Sequence, residues 1–93
     1  MPYLKDDFKT EIEKTCNLKG LTDYFASMEI QNFAGAVNFL IFTIVKRYLK
    51  RNGTRYWMLA LILGTLVCSI FEIYRRVAGP YEDEAIQKNG DVE

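Results

Sequence analysis

The chain has 93 residues, the size of one small domain, and 49% of them are hydrophobic, which is high for a small monomer and predicts apolar surface shared between chains. Twelve basic and twelve acidic residues cancel, which excludes a bulk field that would attract DNA. Because there is no histidine, common zinc sites and histidine-based nucleophile triads are excluded, and no cofactor is expected. The two cysteines, Cys16 and Cys68, are expected to be free thiols in a reducing compartment.

The first predicted element is a short N-terminal helix. Asp6 or Asp7 is expected to cap it, and Phe8 and Ile12 form a narrow apolar stripe at helical spacing. Residues 17–20 are expected to end this helix. After it, residues 21–28 predict another helical turn or two, with Thr22 as the cap.

The second element is a helix over about 31–51. Its apolar residues recur at helical spacing, and they are Val37, Leu40, Ile41, Ile44, Val45 and Tyr48. Asn52 and Gly53 end it, since Gly53 tolerates the left-handed conformation of a helix cap. The basic residues of its last turns suit the negative end of the helix dipole.

The third element is a helix over about 54–78, with Thr54 as its cap. Residues 56–71 contain no charge, so nearly every side of this helix is expected to be covered. Gly79-Pro80 is expected to stop it, and a short acidic tail follows from about residue 80. We predict a single all-α domain over 1–93: an antiparallel hairpin of 31–51 and 54–78 with a shorter N-terminal helix, packed in a homo-oligomer.

A membrane hairpin is the alternative to this architecture. The uncharged run over 56–71 is shorter than the roughly 20 residues that a transmembrane helix needs. The lengths therefore favour core helices of a cytoplasmic oligomer. In the alternative, the basic turn between the two helices lies on the cytoplasmic side.

Two groups of residues are candidates for anion binding. Arg75 and Arg76 lie at the end of the third helix between Tyr74 and Tyr81, where arginine could hold a phosphate and tyrosine could stack on a base. The alternatives for these arginines are pairing with Glu82 or Asp83 at the helix end, or with the acidic tail of a neighbouring subunit.

The second group is the basic turn over 46–55, which has no acidic residue and five basic ones: Lys46, Arg47, Lys50, Arg51 and Arg55. It could steer an anionic ligand, or it could be an ordinary solvated face.

Two polar residues are expected among apolar helices. Antiparallel packing would bring Asn38 within a helical turn of Glu72, which predicts a hydrogen bond that sets the register of the two helices.

The end of the chain carries a resemblance. The segment Tyr-Arg-Arg-Val at 74–77, Pro-Tyr-Glu-Asp at 80–83 and Asn-Gly-Asp at 89–91, together with Gly35, Asn38 and Phe39, resembles a family of small uncharacterised phage and bacterial proteins. The resemblance covers about a third of the chain and implies a small helical fold. The family pattern has polar positions in the third helix where this chain has Met58, Ala60, Leu61 and Val67, so no polar site is carried over to that face.

Three classes of function follow. The first is an oligomeric phage-type binding protein that sequesters an anionic small molecule, with a cyclic-nucleotide immune signal as the candidate, by analogy with small helical phage proteins that act as nucleotide sponges. The second is a structural or protein-interaction module. The third, an enzyme, is not expected, because nothing fixes the geometry of carboxylates such as Glu72, Glu82 and Asp83.

Overall fold

A computed structural model describes residues 3–92, which contain helices and no strand. In chain order the helices are α1 (Asp6–Thr15), α2 (Leu18–Ala26), α3 (Ile30–Asn52), α4 (Tyr56–Ile73) and α5 (Gly79–Asn89), and a π-helical turn (Tyr74–Ala78) joins α4 to α5. The all-α prediction is confirmed for this part of the chain.

The chain divides between Thr54 and Arg55 into two compact units. The first contains α1, α2 and α3, and the second contains α4, the π-helical turn and α5. The single domain, the antiparallel hairpin and the homo-oligomer stay predictions.

The N-terminal region forms two helices where the sequence predicted one and a further turn or two. Asn17 separates them: its φ of 47° is left-handed, and its side-chain oxygen accepts a hydrogen bond from the Gly20 N–H at 3.4 Å. Asn17 is therefore the cap of α2, and the prediction of Thr22 as that cap is wrong. Thr22 lies inside α2, where its hydroxyl donates to the Leu18 carbonyl.

The turn between α3 and α4 begins as predicted at Gly53, whose φ of 82° is favourable only for glycine. Lys50 and Arg51 lie in the last turn of α3, where they complement the helix dipole. The prediction that Thr54 caps the following helix is wrong. The cap residue of α4 is Arg55, and no side chain makes a capping hydrogen bond there.

Gly79-Pro80 does not stop the third predicted helix. Proline lacks an N–H and its ring collides with the carbonyl four residues earlier in a regular α-helix. Here the chain adopts one π-helical turn, in which the Gly79 N–H donates a hydrogen bond to the Tyr74 carbonyl. Pro80 lies in the first turn of α5. The wider turn lets the helix pass the proline, so the predicted acidic tail is helical as far as Asn89.

Very little of the described chain is buried. Met58 is the only hydrophobic side chain buried among residues 3–92, with 7% of its surface exposed. In the first unit, Phe25 of α2 contacts Phe33 of α3 edge to face, with ring centres 6.5 Å apart. The structure thus has well-formed helices and almost no core of its own.

Candidate functional site

An open groove of about 880 Å³ lies along the second half of α3. Aromatic and cationic side chains line it, and they are Phe39, Phe42, Thr43, Lys46, Arg47, Lys50 and Arg51. Because residues three, four and seven apart share a face of a helix, the regular spacing from 39 to 51 places these side chains side by side. One helix therefore supplies the whole groove.

The cations of this groove have no acidic partner in the described structure. No ion pair within residues 3–92 involves Lys46, Arg47, Lys50 or Arg51, and all four side chains are exposed. The sequence explains this, since residues 30–71 contain no aspartate or glutamate. Four positive charges within two helical turns repel one another and attract anions.

Arg75 and Arg76 have a different environment. Both donate to Glu72 on the preceding turn, and the distance from Arg76 Nε to Glu72 Oε1 is 2.6 Å. Pairing with Glu82 or Asp83 was one of the alternatives for these arginines. The structure shows both paired with Glu72, because residues three and four apart are neighbours on a helix. The negative charge of Glu72 compensates part of the arginine charge at this end of α4.

Tyr74 bonds across the π-helical turn. Its hydroxyl donates to a carboxylate oxygen of Glu82 at 3.0 Å. That hydrogen bond, and then the negative charge of Glu82, raise the pKa of Tyr74 above its ordinary value of 10.0, because both favour the protonated phenol. Tyr81 lies instead on α5, beside Glu84 and Lys88 in a shallow groove.

The two polar residues that we expected among apolar helices differ in exposure. Asn38 is exposed on α3, and the side chain of Glu72 on α4 is 23% exposed. The hydrogen bond between them stays a prediction.

The structure thus brings together three of the predicted binding residues, Lys46, Arg47 and Arg51, in the groove of α3. It places Tyr74, Arg75 and Arg76 in contacts with Glu72 and Glu82 within the second unit. Lys50, which belongs to the predicted basic turn, lies in the same groove. The rings of Phe39 and Phe42 were not predicted to belong to a binding site. Their helical spacing from Lys46 was the signal that could have identified them.

The second notable surface is the apolar helix. One continuous helix among residues 3–92, Tyr56–Asn89, is long and apolar enough to cross a membrane by length and composition. Only 6% of its most apolar 18-residue window is buried, whereas the core helix of a soluble protein is mostly buried. The hydroxyls of Thr65 and Ser69 donate to carbonyls of the same helix, so they suit apolar surroundings.

Cys16 and Cys68 are free thiols. Within residues 3–92, no three or more cysteine, aspartate or glutamate side chains are grouped so that they could hold a metal ion.

Fold and groove together define a small all-helical protein with a cationic and aromatic groove on one helix and a largely uncovered apolar helix. The chain belongs to the family described as Domain of unknown function (DUF6899), whose model matches residues 1–92. The resemblance to a family of uncharacterised proteins is therefore confirmed. No curated protein and no solved structure matches the chain significantly.

Proposed function

We propose that this chain is a self-associating helical binding protein that sequesters an anionic small molecule in the groove of α3. The observation that carries the proposal is the set of cations along the groove, Lys46, Arg47, Lys50 and Arg51, without an acidic partner in the described structure. Binding an anion would relieve their mutual repulsion, and Arg47 and Arg51 offer the forked donors that suit a phosphate.

The composition of the groove supports a small molecule as the ligand. The groove combines apolar rings at one end with cations at the other, and a small-molecule site uses this combination to gain affinity and orientation together.

Self-association is the part of the proposal that accounts for α4. Leu61, Leu63 and Ile70 are 63%, 62% and 65% exposed in the single chain. Each such side chain contributes about 1.5–3 kcal/mol when it is fully buried, so several of them favour association strongly. In our proposal α3 and α4 form the antiparallel hairpin, and copies of the chain cover α4 in a homo-oligomer.

The candidate ligand is a cyclic nucleotide that acts as an immune signal in a bacterial host. In this role the protein is phage-encoded, cytoplasmic and non-catalytic, and it removes the signal by binding it. The resemblance of the chain terminus to phage and bacterial proteins supports this setting, and the groove supports the ligand class. By removing this signal, the protein would block the defence of the bacterial host against the phage.

Isothermal titration calorimetry tests it with a panel of cyclic nucleotides and cyclic ADP-ribose isomers. We expect saturable binding of at least one of them and loss of that binding in Lys46→Gln/Lys50→Gln. The matched control is Lys19→Gln, because Lys19 pairs with Asp23 on α2, away from the groove. If no compound in the panel binds while light scattering shows a stable oligomer, a structural or protein-interaction module replaces the binding protein.

The apolar helix favours a second candidate, a membrane-associated helical hairpin. Its supporting observation is the continuous helix Tyr56–Asn89, preceded by the basic turn over 46–55. Flotation with lipid vesicles separates the two candidates. A chain that stays soluble without detergent and does not float excludes the membrane candidate, and a chain found only with the vesicles excludes the soluble oligomer.

A further inference from the structure

The groove of α3 changes in character along the helix. Phe39 and Phe42 form its N-terminal part, and the cations follow one and two turns later. With a rise of 1.5 Å per residue, Lys46 lies about 6 Å along the axis from Phe42, and Lys50 lies about 6 Å further. The groove therefore offers an aromatic platform and two successive cationic turns in a fixed order.

Both aromatic rings are available to a ligand. Phe39 is 71% exposed and Phe42 is 64% exposed. The ring contacts in the described part of the chain join Tyr24, Phe25 and Phe33, and neither Phe39 nor Phe42 takes part in them. A planar ligand ring could stack on either phenylalanine without displacing another ring.

The cations form two rows of like charge. Lys46 and Lys50 make one pair four residues apart, and Arg47 and Arg51 make the other. Like charges at this spacing destabilise a helix, and residues 30–71 offer no acid to offset them. The four side chains carry four positive charges, so two phosphate groups would compensate more of this charge than one phosphate group does.

We infer that the ligand of this groove carries an aromatic ring and at least two phosphate groups, as dinucleotides and nucleoside diphosphates do. The ring lies on Phe39 and Phe42, and the phosphates lie at the turns of Lys46 and Lys50. This inference rests on the proposed function and sharpens it, because it ranks ligands with two phosphates above cyclic mononucleotides, which carry one.

Four probes test the division of the groove by calorimetry: adenosine diphosphate, inorganic pyrophosphate, cyclic adenosine monophosphate and a cyclic dinucleotide. We expect the two probes that combine a ring with two phosphates to bind about tenfold or more tightly than the other two, since stacking and a second charged contact each contribute on that scale. Equal dissociation constants for adenosine diphosphate and pyrophosphate would overturn the aromatic part of the inference.

Variants of the two phenylalanines test whether the ligand ring lies on them. Phe39→Leu/Phe42→Leu should weaken adenosine diphosphate about tenfold and leave pyrophosphate unchanged, and Phe39→Tyr/Phe42→Tyr should retain both affinities. Circular dichroism and light scattering confirm that helicity and assembly match the unsubstituted chain. If the leucine variant with normal assembly binds adenosine diphosphate normally, the rings are not the platform.

Different results would contradict the proposed function and the inference about the two phosphates. If neither the four probes nor any compound of the cyclic-nucleotide and cyclic ADP-ribose panel binds, the proposed function fails. If pyrophosphate and adenosine diphosphate bind equally well and Lys46→Gln/Lys50→Gln abolishes both, anion binding stands and only the aromatic part of the inference is wrong.

Discussion

The two basic regions of this chain differ in whether an acidic residue lies beside them. At the end of α3, Lys46, Arg47, Lys50 and Arg51 have no acidic partner within the described residues and line a groove. At the end of α4, Arg75 and Arg76 share Glu72, one turn away. A local acid turns basic residues into a helix-stabilising contact, and its absence leaves their charge for a ligand.

A second difference concerns apolar surface. The groove side of α3 mixes rings with charges, whereas α4 has no charge between residues 56 and 71. Water solvates the first surface well and the second poorly. In our proposal α3 binds the ligand and α4 forms the assembly, and the following changes test this division.

The largest expected effect is on assembly. Leu63→Asp places a carboxylate on the exposed apolar face of α4, where Leu63 is 62% exposed in the single chain. Burying an unpaired charge costs several kcal/mol, so we expect complete loss of the oligomer by light scattering. The control is Gln31→Asp, at an exposed position in the first turn of α3. An unchanged mass for Leu63→Asp would show that another surface holds the oligomer together.

The next effect separates the two basic regions. Lys46→Gln/Lys50→Gln and Arg75→Gln/Arg76→Gln each remove two positive charges. Because a charge-assisted hydrogen bond contributes about 1.5–3 kcal/mol, the first variant should lose at least tenfold in anion affinity by calorimetry, and the second should keep the affinity of the unsubstituted chain. The reverse result would move the site to Arg75 and Arg76.

A smaller effect is expected at the shared carboxylate. Glu72→Gln removes the partner of two arginines whose side chains are 65% and 64% exposed, so the loss in unfolding free energy should be about 0.5–1 kcal/mol. Urea unfolding at a fixed protein concentration measures it. Asp23→Asn, which removes the partner of Lys19 alone, is the control and should lose less. Equal losses would mean that sharing one acid adds no stability.

The smallest expected effect is a change in the pKa of Tyr74. The hydrogen bond to Glu82 raises the pKa of Tyr74, so this contact stabilises the folded chain below pH 10.0 and is lost as the pH rises through the raised pKa. The absorbance titration of Tyr74→Phe should lack the phenol whose pKa is raised. Glu82→Gln should lower the pKa of Tyr74, and an unchanged titration in that variant would exclude the bond.

Much of the helical architecture could be read from the sequence. The periodicity of apolar residues identified α3 and α4, and Asn52-Gly53 marked the turn between them, because these signals are local. The basic turn was also evident, since a run without acids cannot form ion pairs within its own helix.

Other features required three-dimensional information. The Gly79-Pro80 pair at the end of an apolar helix predicts a stop, and only the backbone geometry shows that one π-helical turn lets α4 continue into α5 past Pro80. In the sequence, acidic residues both precede and follow Arg75 and Arg76. Only the side-chain positions show that both arginines pair with Glu72.

The sequence by itself determined that the chain is helical, that its charges are segregated and that α4 is apolar on nearly every side. The structure decided where those properties lie in space. It placed the rings of Phe39 and Phe42 beside the cations of α3, and it left α4 exposed. The physical reason is that helix formation depends on neighbours in sequence, whereas a groove or an uncovered face depends on which side chains meet in space.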